Sequence, residues 1–224
     1  MSWSLFAKQT PPGQILRYDL EERAVHWVVA LTCVYLILTG LGLHAPSLFW
    51  LMGVLGGGQV ARIWHPIVGM SYFVSLIWMW KLWHKDLKPS EPDAAWMKSV
   101  LFYMANRDEH LPPTGRWNPG QKMFFWMMLM AGFALVLSGA ILWFPERVPW
   151  SWKWVRFMAI LIHSAAAVAS IGGLLLHIYM GSAFVRGGFE QMITGHVSRE
   201  WAEHHHRLWY MDQAGQEKRR ETPD

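Results

Sequence analysis

The fold is decided by residues 157–185, FMAILIHSAAAVASIGGLLLHIYMGSAFV, which contain no Asp, Glu, Lys or Arg. About 20 apolar residues are enough for a helix to cross the hydrocarbon of a bilayer. A helix also satisfies its own backbone hydrogen bonds, which lipid cannot do. The stretch therefore predicts a membrane-spanning helix, and its extra length predicts that this helix tilts or projects beyond the membrane.

Three further stretches of the same kind precede it. They lie at residues 24–44, 63–83 and 123–144, and the only charged residue in them is Lys81. Hydrophobic residues make up 53% of the chain, and many of its 16 Trp residues lie near the borders of these stretches, as in an interfacial aromatic belt. The sequence therefore predicts an all-α fold, an integral-membrane four-helix bundle in the lipid bilayer.

The basic residues predict the orientation of the bundle. Sixteen Lys and Arg residues lie on the side of the two termini and the central loop, and four lie on the other side. By the positive-inside rule both termini are cytoplasmic. We expect an N-terminal segment at 1–22, a membrane domain at 23–185 with a cytoplasmic loop at 84–122, and a cytoplasmic tail at 186–224. Residues 1–20 lack the apolar core of a signal peptide, so we expect the first span to act as an uncleaved insertion signal.

Several weaker patterns carry expectations of their own. Basic residues are spread along loops, so the net charge of +4 does not predict nucleic-acid binding. With Cys33 as the only cysteine, the chain can form no internal disulfide and holds no CxxCH motif. In the polar tail we expect no native metal site at the adjacent histidines 204–206, and disorder in the final dozen residues. The amphipathic residues 93–105 either lie on the membrane surface or pack on the bundle as a short helix.

Four histidines lie inside or at the edge of the predicted spans: His26, His65, His163 and His177. Any one of them could simply be hydrogen-bonded to a neighbouring helix, but four ionisable groups in lipid-facing spans point to a function. Fourteen residues separate the last two, a rise of roughly 21 Å and nearly four whole turns, so both face one side at two depths. The topology places His26 at the depth of His177 and His65 at that of His163. Paired imidazoles on facing helices are axial ligands for haem iron, so the sequence predicts two haem b groups.

Three arginines are candidates for contacts with haem propionates. Arg23 and Arg62 each precede a predicted ligand by three residues, on the same helical face, and Arg156 lies at the outer mouth of the last span. The alternative is that these side chains snorkel to the membrane border. Snorkelling is the better explanation for Arg23, whereas Arg62 stands alone on a side with few basic residues.

Small residues beside the histidines could leave room for flat macrocycles. Gly40, Gly69, Gly132, Gly139 and Gly173 lie within the spans. The same glycines could equally serve only to bring the helices close together.

Six stretches carry a resemblance to a known family. They are RAVHW (23–27), ARIWHPIVG (61–69), NPGQKMFFW (118–126), LIHSAAA (161–167), LLHIYM (175–180) and GHVSREWAEHHHRLWY (195–210). Over about residues 17–210 the chain resembles the gamma subunit, cytochrome b, of respiratory membrane-bound formate dehydrogenase.

The resemblance implies a larger assembly in the bacterial cytoplasmic (inner) membrane. A catalytic alpha subunit with molybdenum or tungsten would oxidise formate, and an iron-sulfur beta subunit would relay electrons to an outer haem. By motif, the outer ligands are His65 and His163, and the inner ones His26 and His177. This chain itself would hold no formate-oxidising site.

The resemblance also implies a site for menaquinone or ubiquinone beside the inner haem. Its residues here would be Asn118, Gly120, Gln121 and His177, with Pro119 as a departure from the family's small residue. An amide can donate a hydrogen bond to a quinone carbonyl. Because the spans contain no Asp or Glu, we expect no proton pump.

Two other functions remain possible at this point. One is the cytochrome b of a membrane nickel-iron hydrogenase or of a thiosulfate or polysulfide reductase. The other is a haem-free anchor or a small transporter, although the sequence shows no inverted repeat.

Overall fold

Four long helices form the body of the protein in the computed structural model, which describes residues 10–221. They are α1 (Leu20–His44), α3 (Gly58–Trp83), α6 (Pro119–Trp143) and α7 (Lys153–Tyr179). By length and composition, four helical segments can cross a membrane, and α7 is part of the last, Trp150–Phe184. A π-turn at Met180–Phe184 extends it. The four predicted membrane helices are therefore confirmed.

All four helices begin four or five residues before their predicted starts, and two of these starts are fixed by capping side chains. Asp19 caps α1: its Oδ1 accepts from the Glu22 amide at 2.8 Å, and the Glu22 carboxylate accepts from the Asp19 amide at 2.9 Å. Asn118 and Gln121 form the same reciprocal pair at the start of α6, at 2.9 and 3.0 Å. Such capping boxes satisfy two backbone N–H groups that a helix start leaves unpaired. The predicted starts were late because they excluded charged residues that belong to the first turns.

The bundle is built from two helix pairs. α1 packs against α3, α6 packs against α7, and α3 joins the two pairs through α6. Buried residues of α1, α3 and α6 form the core: Val25, Val29, Cys33, Tyr72, Leu76, Met79, Phe125, Met128 and Leu129. At Gly132 a Cβ would lie 2.8 Å from Leu76 Cδ2, so the glycine allows α3 and α6 to approach. Large apolar side chains on the outside, such as Leu175 and Leu176, are exposed, as lipid-facing residues should be.

We call the two ends of the bundle the terminal end, which holds Glu22, Trp83 and residues 10–18 and 186–221, and the opposite end, which holds His44 and Trp143. At the terminal end, β1 (Gln14–Leu16) pairs antiparallel with β2 (His196–Ser198). The fold is otherwise helical, as the all-α prediction requires, and this small sheet was not predicted. Strands of three residues are too short to leave a periodic signal in the sequence.

Short helices complete the chain. At the opposite end lies α2 (Trp50–Val54), with 3₁₀ turns at Pro46–Leu48, Pro145–Arg147 and Trp150–Trp152; the other short elements are α4 (Pro92–Lys98), α5 (Val100–Met104), a 3₁₀ turn at Asp108–His110, α8 (Gly188–Thr194), α9 (Arg199–His205) and α10 (Arg207–Glu221). The final dozen residues were expected to be disordered. That expectation is wrong for residues 213–221, because they belong to α10. Residues 222–224 lie outside the described range.

The amphipathic stretch 93–105 divides into two helices with different surroundings. Trp96 of α4 is buried and α4 packs on α6. Lys122 of α6 fixes this contact, since its Nζ donates to Asp93 at 2.8 Å and to Ser90 Oγ at 3.1 Å. Burial alone would raise the pKa of Asp93, but the hydrogen bonds from Lys122 and Ser90 outweigh it and lower the pKa. In α5, by contrast, Leu101 is exposed.

A buried polar network joins the segments of the terminal end. Arg116 pairs with Glu22 at 2.8 Å and with Asp86 at 2.9 Å, and Trp83 Nε1 donates to Glu22 at 2.8 Å. Arg17 Nη2 donates to the Arg116 carbonyl at 2.7 Å. The network therefore links the residues before α1, the end of α3 and the residues before α6.

His206 joins the tail to the same network. Its Nδ1–H donates to the Gly115 carbonyl at 2.8 Å, so its Nε2 accepts from Arg17 Nη2 at 2.9 Å. The expectation of a solvated histidine run is wrong at this position, because His206 is only 2% exposed. Burial, and after it the charge of Arg17, lower the pKa of His206 well below its usual value. His206 is therefore a neutral structural contact.

Arg116→Ala should lower the free energy of unfolding by about 3 kcal/mol, because it leaves Glu22 buried without its cation. The thermal unfolding midpoint of the purified protein in detergent measures this. Arg199→Ala is the matched control, since its pair with Glu217 at 2.8 Å is exposed and should matter little. Equal shifts in the two variants would contradict the role of the Arg116 network.

The neutral state of His206 predicts a dependence of stability on pH. The unfolded chain binds a proton at His206 below about pH 6.5 while the folded chain does not, so stability falls as pH drops through that value. His206→Gln keeps an acceptor for Arg17 but does not titrate. The thermal unfolding midpoint should therefore fall less between pH 7.5 and pH 5.5 in this variant than in the wild type. An equal fall in both proteins would show that His206 does not contribute to the pH dependence.

Candidate functional site: two histidine pairs

The structure brings the four histidines together as two pairs. The rings of His26 and His177 lie with their centroids 6.0 Å apart, at an interplanar angle of 53°. The rings of His65 and His163 lie 6.4 Å apart, at 56°. The first pair joins the start of α1 to the end of α7 at the terminal end, and the second joins α3 to α7 nearer the opposite end. These are the pairs that topology predicted.

The spacing within each pair fits a metal ion between the rings. Bonds between a metal and an imidazole nitrogen are about 2 Å long, so two rings that share one ion have centroids roughly 6 Å apart. No hydrogen bond joins the two rings of either pair. Within residues 10–221 no group of three or more His, Cys, Asp or Glu is placed to hold a metal ion. Two nitrogens alone suit haem iron, because the macrocycle supplies the other ligands.

Hydroxyl groups hold the rings of the second pair. Thr39 Oγ1 lies 2.8 Å from His65 Nδ1, and Ser138 Oγ lies 3.0 Å from His163 Nδ1. Each ring therefore has one nitrogen engaged by a neighbouring helix and the other, Nε2, available for a metal. Hydrogen bonds of this kind orient metal-binding histidines.

Two glycines lie against the same rings. A Cβ at Gly40 would lie 3.4 Å from His65 Cε1, and one at Gly139 would lie 3.3 Å from His163 Cε1. Gly173, in contrast, packs against side chains, where a Cβ would lie 3.3 Å from Met128 Sδ. Gly40 and Gly139 therefore leave space beside the imidazole rings, and Gly173 allows close helix packing. Room for a macrocycle remains a prediction.

The first pair has different surroundings. His26 Nδ1 is buried and has no hydrogen-bond partner. The ring of His177 stacks on Phe124 of α6, with centroids 4.8 Å apart and planes 3° from parallel. Aromatic contact rather than hydrogen bonding therefore orients His177.

The three arginines differ in what they contact. Arg23 is bound to backbone carbonyls: its Nη1 donates to Ile193 and its Nε to Asp19 at 3.3 Å. Arg156 Nη2 donates to the Val148 carbonyl at 2.5 Å, while its Nε is buried without a partner. Arg62 is exposed on the first turns of α3. A propionate contact remains a prediction for all three.

Three of the four residues expected at the quinone site, Asn118, Gly120 and Gln121, lie at the start of α6, and His177 lies near the end of α7. Asn118 is buried, and its side-chain oxygen is used by the cap of the helix. The capping box also uses the side-chain oxygen of Gln121, so the NH2 groups of both amides remain as donors. At Gly120 a Cβ would lie 3.5 Å from Trp96 Cη2, an ordinary van der Waals distance, so Trp96 of α4 packs directly beside this turn. Phe124, which stacks on His177, lies six residues after Asn118, about 9 Å along the helix axis.

Sequence reasoning missed Thr39, Ser138 and Phe124 as neighbours of the histidines. One signal for the hydroxyls was present: each is followed directly by a glycine, as Thr39-Gly40 and Ser138-Gly139. Phe124 lies in a run of apolar residues, and nothing in its spacing distinguishes it there.

Comparison with known proteins identifies the family. Residues 17–195 match the family described as prokaryotic cytochrome b561. The formate dehydrogenase cytochrome b556(fdo) subunit of Escherichia coli K12 is 39% identical over 200 residues, which are 88% of this chain and 92% of the relative. The nitrate-inducible cytochrome b556(Fdn) subunit of the same strain is 32% identical over 210 residues, 94% of this chain and 96% of the relative.

A relative from another organism has the same kind of name. The formate dehydrogenase cytochrome b556 subunit of Haemophilus influenzae Rd is 32% identical over 200 residues, 89% of this chain and 84% of the relative. The range that matches the family, residues 17–195, contains the four long helices and both histidine pairs. The chain belongs to the prokaryotic cytochrome b561 family and, within it, to the family of formate dehydrogenase cytochrome b subunits.

Proposed function

We propose that this subunit holds two haem b groups and conducts electrons across the membrane to a quinone. The observation that carries the proposal is the presence of two histidine pairs at two levels of one bundle, each with its rings about 6 Å apart. His65 and His163 would hold one haem, and His26 and His177 the other. Haem iron between two imidazoles gains and loses one electron, which is the chemistry that the subunit needs.

The separation of the two pairs supports transfer across the bilayer. His163 and His177 lie on α7 fourteen residues apart, a rise of roughly 21 Å along the helix. The hydrocarbon of a bilayer is about 30 Å thick. Haems at the two pairs would therefore divide the path of an electron across the membrane into shorter transfers.

The orientation follows from the distribution of charge. Counted along the sequence, 16 of the 20 Lys and Arg residues lie on the side of the two termini and the central loop, and those that the structure describes belong to the terminal end. By the positive-inside rule that end, with both termini, faces the cytoplasm of a bacterium whose inner membrane contains the bundle. The opposite end, with the His65 and His163 pair nearer to it, faces outward.

The names of the relatives support a multi-subunit complex. All three are subunits of formate dehydrogenase. We propose that an iron-sulfur beta subunit docks at the outward end and receives electrons from a molybdenum or tungsten alpha subunit. A hydrogenase or a thiosulfate or polysulfide reductase is less well supported, because none of these three relatives has such a name.

The quinone, menaquinone or ubiquinone, would bind at the start of α6. The capping box leaves the NH2 of Asn118 free to donate to a carbonyl, and His177 is held against the same helix by Phe124. With no Asp or Glu in residues 24–44, 63–83, 123–144 and 157–185, protons for the quinone would enter from the cytoplasm rather than through the bundle.

His65→Ala should remove one of two haems, because a single imidazole remains on that side. The haem-to-protein ratio of the purified complex, from reduced-minus-oxidised absorbance, should fall by half. His84→Ala is the control, since His84 lies at the end of α3 and its Nδ1 lies 2.8 Å from the Lys81 carbonyl rather than near another histidine ring. A full haem content in His65→Ala would reject His65 as a ligand.

Asn118→Asp keeps the side-chain oxygen that caps α6 and removes the NH2 that we propose donates to the quinone. Asp caps helices as well as Asn does, so α6 should form normally, but it lacks the amide NH2. We expect both haems to be retained and quinone reduction to slow by tenfold or more. Asp19→Asn makes the reverse exchange at the cap of α1 and should leave turnover unchanged. Wild-type rates with quinone in Asn118→Asp would exclude the proposed donor.

A further inference from the structure

We propose that the hydroxyls of Thr39 and Ser138 position the rings of His65 and His163 and lower the reduction potential of the haem that this pair holds. The inference rests on the proposed function, in which each pair holds a haem. It adds Thr39 and Ser138 as residues that act through the histidine ligands. It also gives a reason for electrons to move from the His65 and His163 pair towards the terminal end.

With the Nε2 atom of each ring on a metal, Nδ1 carries the hydrogen, so the hydroxyl beside it is the acceptor. The single hydrogen of Thr39 Oγ1 is donated along its own helix to the Tyr35 carbonyl at 2.8 Å, and that of Ser138 to the Ala134 carbonyl at 2.5 Å. The oxygens are therefore left as acceptors for the Nδ1–H groups of the two rings, at 2.8 and 3.0 Å. This choice of tautomer leaves the Nε2 lone pair of each ring for the metal.

The same two-residue unit occurs on both helix pairs. Thr39-Gly40 of α1 contacts His65 of α3, and Ser138-Gly139 of α6 contacts His163 of α7. In each unit the hydroxyl engages Nδ1 and the glycine leaves space beside Cε1 of the same ring. Thr39 is 0% exposed and Ser138 is 4% exposed, so water does not compete for either oxygen. Both rings are therefore held in orientation by the same two contacts.

The pair at the terminal end has no such contact. Among the described residues, no hydroxyl bonds to His26 or His177: His26 Nδ1 has no partner and His177 stacks on Phe124. The two pairs thus differ in the hydrogen bonding of their ligands.

This difference affects the iron through the ligand. Donation from Nδ1–H places more electron density on the ring and makes Nε2 a stronger base. A stronger base favours the more highly charged, oxidised iron, and hydrogen bonding around the ligands is one of the means by which proteins set haem potentials. The hydroxyls therefore lower the potential at the His65 and His163 pair and favour electron transfer towards His26 and His177.

The test is a redox titration of the purified complex, followed by absorbance, in the variants Thr39→Val and Ser138→Ala. Each should move the midpoint of one haem to a more positive potential and leave the other midpoint unchanged. A tenfold change in the reduction equilibrium is 59 mV for one electron, and we expect a shift of up to that size for each hydroxyl. The double variant should shift further.

The chain offers two matched controls. Thr32 of α1 bonds to the carbonyls of Val28 at 2.6 Å and Val29 at 3.1 Å. Ser170 of α7 bonds to the carbonyl of Ala166 at 2.8 Å. Thr32→Val and Ser170→Ala should leave both midpoints unchanged. Thr39→Ser keeps the oxygen and should titrate like the wild type.

The outcomes separate this inference from the proposed function. Two haems with wild-type midpoints in Thr39→Val and Ser138→Ala would overturn the role of the hydroxyls and leave the proposed function intact. A wild-type complex without two haems would overturn both. If Thr39→Val loses one haem, retention in Thr39→Ser supports positioning by the oxygen, and equal loss in Thr39→Ser overturns it.

Discussion

The structure depends on one constraint: α7 carries two imidazoles on one face at two depths, and each must meet a partner within an apolar bundle. A polar ring left facing lipid is costly. α1 meets the constraint at one level with His26, and α3 meets it at the other with His65. The relative rotations of these helices are thereby set, and the hydroxyls of Thr39 and Ser138 and the ring of Phe124 refine the positions of the imidazoles.

The terminal end holds the helices in register. Arg17 lies within cation–π distance of Tyr18, Trp201 and Trp209, and its guanidinium also reaches His206. Through this group and through the two-stranded sheet, residues before α1 are bound to the tail that follows α7. Buried ionic groups are weak evidence for stability, but they can select one arrangement over others. Here they act beside His26 and His177, the pair formed by the two helix ends that the network joins.

The start of α6 combines several tasks within two turns. Asn118 caps the helix, Lys122 fixes α4 through Asp93, and Phe124 supports the ring of His177. A quinone bound by Asn118 would thus be positioned by the same rigid helix that orients the histidine. Asn118, Lys122 and Phe124 of the NPGQKMFFW motif therefore have capping, anchoring and stacking roles in addition to the proposed quinone contact.

Hydropathy, charge and helical periodicity were enough to predict the four helices and the two histidine levels, because each depends on residues near one another in sequence. The sheet β1–β2, the burial of His206 and the stacking of Phe124 depend instead on contacts between distant segments. Thr39 shows the limit most clearly. A threonine in a membrane helix usually bonds to a carbonyl one turn earlier, as both Thr32 and Thr39 do, so this local hydrogen bond does not tell the two apart. Only the packing of α1 against α3 decides that one of these hydroxyls meets a histidine and the other does not.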